Sequence, residues 1–252
     1  AGVELVTNSN DAYVKKGSIG NNIFIEVDYG KHTLTVTDNA IGMEGNEMQT
    51  KLGIVGNYTS EAGVRGYFSR GAKDLISIGS VMYVAIKDNK LSQIELTYDL
   101  KVKTYRLNDQ PSNEDRILYN IPENGCHACL NLLPTISIPP FERMSEIRRY
   151  YNLRDIFSDD NIIINMKVIT NNFVAFDDKL KYIFPPVKEK PLISTTFKLE
   201  GWPDEAIANF ELYELEESQN NTLSRNYREH GVLVCTDDAI HSNESFFSNI
   251  ES

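Results

Sequence analysis

The chain has little of what would place it at once in a special class. Its three cysteines, Cys126, Cys129 and Cys235, cannot build a disulfide framework. Their odd number fits a reducing compartment, and a cytoplasmic location is expected. Fifteen glycines and nine prolines in 252 residues exclude collagen-like and low-complexity sequences. No apolar run approaches the roughly 18 residues of a membrane-spanning helix, so no membrane association is expected. Positive charge is also scarce, with 25 Lys+Arg against 36 Asp+Glu and a formal net charge of −11. Such a chain has no general attraction to nucleic acid, and any contact of that kind would need a local basic patch or another segment. What is present is ordinary: 41% hydrophobic and 24% charged residues exclude a disordered chain. The length allows one large domain or two moderate ones, each with its own core.

Cys126-His127-Ala128-Cys129 has the CxxC form, but zinc needs about four ligands and no second pair follows at suitable spacing. These cysteines read as apolar strand residues. The chain opens on Ala1 directly into an amphipathic pattern and stops abruptly at Ser252, which leads us to expect a larger polypeptide around it.

The periodicities predict an α+β protein. Residues 1–16 read as a helix ended by Gly17, with Val3, Val6 and Tyr13 near one stripe. Alternation in IFIEVDYG and HTLTVTDN predicts a hairpin turning near Gly30. A short helix is expected within 44–57, then a glycine-punctuated loop entering a helix that stops around Gly79. Strands follow in VMYVAIKD, QIELTYDL, VKTYRLN and CHACLNLLPTISI, with a polar segment at 108–116. Pro139-Pro140 breaks the chain before a predicted helix, FERMSEIRRYYNLRDIF, and a β-branched strand, NIIINMKVIT. Past Pro185-Pro186, STTFKLEGW and NFELYELEE read as a hairpin, and HGVLVCTD as a further strand. A domain boundary falls somewhere in 134–186. Arg143, Arg148, Arg149 and Arg154 concentrate positive charge, read mostly as a solvated helix face or interdomain ion pairs, with a nucleic-acid contact as the lesser alternative.

On the first predicted helix Glu4, Asn8 and Asp11 stand at i, i+4 and i+7 and so project from one face. A strand end then brings Asp38-Asn39-Ala40-Ile41-Gly42-Met43, and a glycine loop runs from Gly63 to Lys73 ahead of a helix. Each element alone is weak, and Glu4 by itself would be an ordinary exposed helix acid. The ordered set is far more specific. It resembles the GHKL ATPases: DNA gyrase, the large heat-shock chaperones, sensor histidine kinases, MutL and the MORC proteins. Glu4 through Ala12 is similar to the family's first motif, Asp38 through Met43 to its second, and Gly63 through Lys73 to its third. Gly125-Cys126 stands where Gly-Thr is common in the family, and the likeness covers about residues 1–135. Residues 151–156 and the following strand resemble the continuation in MORC-like and bacterial members, where a transducer domain comes next.

The resemblance implies a Bergerat-type two-layer α/β sandwich, a mixed sheet covered by helices, over residues 1–165. A partial transducer-like α/β domain would follow over 166–252. It implies Mg²⁺-dependent binding and hydrolysis of ATP, with Asn8 holding Mg²⁺ through a hard amide oxygen. Glu4 would act as general base on the attacking water. Its presence favours hydrolysis over phosphotransfer to a histidine. Asp38 would accept a hydrogen bond from the adenine amino group, with Asp11, Gly42, Met43 and Cys126 lining that end of the pocket. Gly66, Ser69, Arg70, Gly71, Ala72 and Lys73 would meet the phosphates, through backbone amides, a helix N-terminus and the lysine. Residues 44–65 would form a lid. Ala40, Ser69 and Cys126 depart from the family pattern at two glycines and a threonine, so hydrolysis is expected to be slow. Binding of ATP would drive homodimerisation or clamp closure in a larger protein. Relatives act on DNA or chromatin, on client proteins, or in defence against phage, so a DNA-associated or protein client through other domains is expected. The alternatives are a nucleotide-binding switch with negligible turnover and an interaction module that has lost nucleotide.

Overall fold

Side chains that alternate in burial make the strands of one large sheet. In β1 (Asn21–Asp28) Ile23, Ile25 and Val27 are buried, while Asn22, Phe24 and Glu26 on the other face are only half-buried. β2 (Thr33–Asp38) repeats the pattern with Leu34, Val36 and Asp38, so the two register as an antiparallel hairpin. The computed structural model describes residues 1–17, 21–53, 74–140, 144–198, 207–216, 231–236 and 239–244. Within them the sheet continues with β3 (Gly79–Lys87), β4 (Lys90–Leu96), β5 (Val102–Asp109), β6 (Gly125–Leu132), β7 (Ile162–Thr170) and β8 (Phe173–Leu180). The strand order is β5-β4-β3-β6-β2-β1-β7-β8. β1 and β7 run parallel and every other pair is antiparallel, so the sheet is mixed and the architecture α+β. The sheet takes in Ile162–Leu180 and so runs past residue 165, where the sequence reading divides the chain.

Register assigns the faces. One row crosses the sheet as Ile23, Asp38, Cys126 and Ala85, and the next as Ile25, Val36, Ala128 and Tyr83. On this face lies helix α1 (Gly2–Lys16), which ends at Gly17 in the left-handed conformation (φ 65°). Leu5, Val6 and Tyr13 of α1 pack with Ile23, Ile25, Val36 and Met166 in the main core. Helix α2 (Gly45–Gly53) lays Met48 and Leu52 over Ala85, Ile94 and Leu96 in a second cluster. On the opposite face the ring of Tyr119 meets that of His127 at 5.3 Å, and Ile121 joins Val84, Ile86 and Leu91.

Several elements differ from the sequence expectation, each for a local reason. The polar segment at 108–116 holds the start of helix α3 (Asn113–Tyr119), opened by a capping box. Ser112 Oγ accepts the Asp115 N–H, and Asp115 accepts the Ser112 N–H in return. The long helix expected over 141–157 is broken. Single 3-10 turns at Ser145–Arg149 and Tyr151–Leu153 precede a short α4 (Arg154–Ser158), because Tyr150 is extended (φ −62°, ψ 125°). Arg154 is fully buried rather than on a solvated face. Its Nε donates to the Arg149 carbonyl and its guanidinium lies over the Tyr182 ring. Arg149 pairs with Glu146. β8 escapes the sequence reading altogether, and is reached through Asn171-Asn172, both at positive φ. The expected hairpin is present as β9 (Ile193–Lys198) and β10 (Ile207–Leu212). β11 (Val232–Thr236) pairs with β12 (Ala239–Glu244), which packs on the Tyr151–Leu153 turn. No described helix is long and apolar enough to cross a membrane.

If the capping box starts α3, Ser112→Ala should lower stability by about 1 kcal/mol in urea unfolding. An unchanged midpoint would show that the cap adds nothing.

Candidate functional site

Asp38 is the last residue of β2 and sits on the helix-covered face, only 4% exposed. Its Oδ1 accepts the Ala40 N–H at 3.1 Å and the Cys126 N–H at 3.3 Å. The buried Ser9 hydroxyl of α1 donates a further bond. Burial nevertheless dominates and pushes the Asp38 pKa up to about 6, with these donors and the charge of Lys16 pulling the other way. Among the described residues no cation contacts this carboxyl group, and hydrogen-bond donors alone hold it. Cys126 supports Asp38 through its backbone, and a hydroxyl from α1 serves beside it.

Two glycines make the corner around Asp38. Gly42 has φ +66°, and a Cβ there would come within 2.0 Å of the Ile86 carbonyl oxygen. Gly125 has φ +156°, and its Cβ would strike the Asp38 carbonyl oxygen at 2.1 Å. Only residues without a side chain let the β2 end, β3 and β6 approach so closely. Gly42 therefore answers a contact within the protein itself. Met43, Tyr83 and Cys126 are half-buried against the apolar cluster under α2, so Asp38 borders a largely hydrocarbon wall.

Glu4 lies on α1 at the edge of this region and is exposed to solvent. Surrounding protein on its inner side still raises its pKa, and the charges of Asp74 and Asp11 add to that shift. Tyr83 is within electrostatic reach of both Glu4 and Cys126, and Cys126 of Asp38, so one continuous region contains all four. Burial raises the pKa of Tyr83, and burial with the neighbouring Asp38 carboxylate raises that of Cys126, which keeps the thiol protonated. Asn8 and Asp11 are half-buried on the same helix. Gly66, Ser69, Arg70, Gly71, Ala72 and Lys73 lie outside the described residues, as does the part of the expected lid beyond Gly53.

Thus Glu4, Asp11, Asp38 and Cys126 come together, with Gly42 and Met43 at the same strand end. The sequence reading passed over Ser9, Tyr83 and Asp74. Ser9 stands inside the first motif among other polar residues, so nothing along the chain singles it out; Tyr83 and Asp74 are close to the site only through folding. Among the described residues no group of three or more His, Cys, Asp or Glu stands together as a metal site. Cys126, Cys129 and Cys235 are free thiols in the structure. No protein-family model matches the chain and no curated protein matches it.

A carboxyl group whose pKa is raised by folding favours the protonated folded state. Its contribution to stability is complete below about pH 4, its ordinary value, and is lost as pH rises through about 6. Asp38→Asn, neutral at every pH, should therefore gain in Tm over the native chain between about pH 4 and about pH 8. A Tm difference independent of pH in thermal melts would overturn this account of the buried charge.

Proposed function

We propose that the chain is the ATP-binding part of a GHKL-type ATPase with a Bergerat-type sandwich. It would bind ATP with Mg²⁺, hydrolyse it slowly, and so control dimerisation or clamp closure of a larger protein. The observation that carries this reading is Asp38: a buried carboxyl group at a strand end, beside an apolar wall and facing the helix that bears Glu4 and Asn8. A flat heteroaromatic base needs an apolar surface and one acceptor for its exocyclic amine, and this corner offers both. The Gly42 and Gly125 contacts hold that acceptor in place. The donor chemistry also fits the metal, because an amide oxygen such as that of Asn8 is a hard ligand, as Mg²⁺ requires. When bound, Mg²⁺ would offset the charge of the phosphates. Glu4, with its pKa raised by burial and by Asp74 and Asp11, is a better proton acceptor than an isolated glutamate and would deprotonate water. The Gly63–Lys73 loop would bind the phosphates, and the strands beyond the main sheet would transmit closure.

Slow turnover, or a switch that binds ATP without hydrolysing it, is favoured by Ala40. It is fully buried, and it occupies a position where the resembled family has glycine. Calorimetry with ATP and Mg²⁺ and a steady-state phosphate-release assay test the proposal together. Binding should be abolished by Asp38→Asn, while Glu4→Ala should keep binding and lose turnover by at least about 100-fold. Native protein that binds without releasing phosphate would leave the switch reading. Binding untouched by Asp38→Asn would sink the assignment of the site.

A further inference from the structure

The last turn of α1 holds the residue that follows β2, Asn39, by both its backbone N–H and its carbonyl. Tyr13 is 2% exposed, and its hydroxyl accepts the Asn39 N–H at 2.8 Å and the Asn22 N–H at 3.0 Å. It donates its proton to the Asn22 carbonyl. A phenol has one proton and two lone pairs, so its capacity is fully used. Three residues on, Lys16 Nζ donates to the Asn39 carbonyl at 2.9 Å. The Asn39 side-chain amide, oriented to satisfy both its atoms, donates to the Asn120 carbonyl at 3.0 Å, where α3 ends. The residue after Asp38 is therefore tied to the ends of both α1 and α3.

These bonds set a distance. Apolar packing of Leu5 and Val6 holds α1 on the sheet, but such packing is non-directional and leaves the helix some freedom to slide. Hydrogen bonds to the N–H and to the carbonyl of Asn39, in the two peptide groups that flank its Cα, remove that freedom at the end nearest Asp38. We propose that Tyr13 and Lys16 are positioning residues that fix the spacing between the Glu4–Asn8–Asp11 face of α1 and the Asp38 corner. The inference rests on the ATP reading and adds a consequence to it. A ligand held at both ends of the site feels the spacing, whereas one held at the Asp38 end alone does not.

The test is isothermal titration of the native chain, Tyr13→Phe and Lys16→Met with MgATP and, separately, with adenosine, at about pH 8, where Asp38 is ionised. Loss of one hydrogen bond of this kind is worth roughly tenfold in affinity, so Tyr13→Phe should weaken MgATP binding by about tenfold and Lys16→Met by roughly threefold. Adenosine affinity should change by less than about twofold, a selectivity that general loosening of the fold would not give. Lys16 is exposed, so Lys16→Met decides the matter should Tyr13→Phe fail to fold. Native protein that binds MgATP, with both variants unimpaired or with adenosine weakened equally, would overturn the spacing role alone. Native protein that binds neither ligand would overturn the ATP reading, and this inference with it.

Discussion

A carboxylate taken out of water has to be held by donors, and in this protein that demand falls on Asp38. Removing such a charge from solvent costs several kcal/mol, while each hydrogen bond to it returns about 1.5–3 kcal/mol. Three donors, from Ala40, Cys126 and Ser9, therefore come close to balancing the cost without cancelling it. The pKa near 6 is the remainder: desolvation wins slightly, and the group still ionises at neutral pH. The close approach of three strand ends at Gly42 and Gly125 brings the Cys126 donor within reach. The seating of α1 brings Ser9. The geometry of the corner and its electrostatics are one requirement.

The face around Asp38 has two kinds of surface. Toward β3 and β4 it is hydrocarbon, with Ala85, Ile94 and Met48 closing the space beneath α2. Toward α1 it is polar and acidic, with Asp11 and Asp74 both within electrostatic reach of Glu4. An acidic edge of this kind repels phosphate, so phosphate binding there would need a bridging cation and backbone amides. In a chain of net charge −11, bulk attraction cannot supply that binding.

Much of the fold was legible because burial follows a simple period. Ile23, Ile25 and Val27 alternate cleanly, as do Leu34 and Val36, and the hairpin was predicted from that pattern. Helix α3 carries no such stripe, since Ile117 and Leu118 point to solvent at 80% and 71% exposure. Its start was written only in the Ser112–Asp115 capping box. β8 is an edge strand with mostly exposed residues, so little burial pattern marks it. The helix expected over 141–157 has the right apolar spacing, but Tyr150 adopts an extended backbone that no periodicity encodes. In the site, Glu4, Asn8 and Asp38 were visible as short motifs. Ser9 and Tyr83 matter through contacts made across the sheet, and spacing along the chain holds no record of those.

The parallel pairing of β1 with β7 has a consequence for how the chain is made. Asn21 takes its sheet neighbour from Ile162, which lies beyond most of the sheet in sequence. Contacts of such long range carry a high loop-closure cost and slow the folding of the units that contain them. During synthesis α1, β2 and β6 can all be in place while the other side of β1 still has no strand to bond. For that interval β1 is an open edge rich in isoleucine, the kind of edge that recruits foreign strands. The apolar stretch Ile162-Ile163-Ile164 is what closes it, and it leaves the ribosome well after β1.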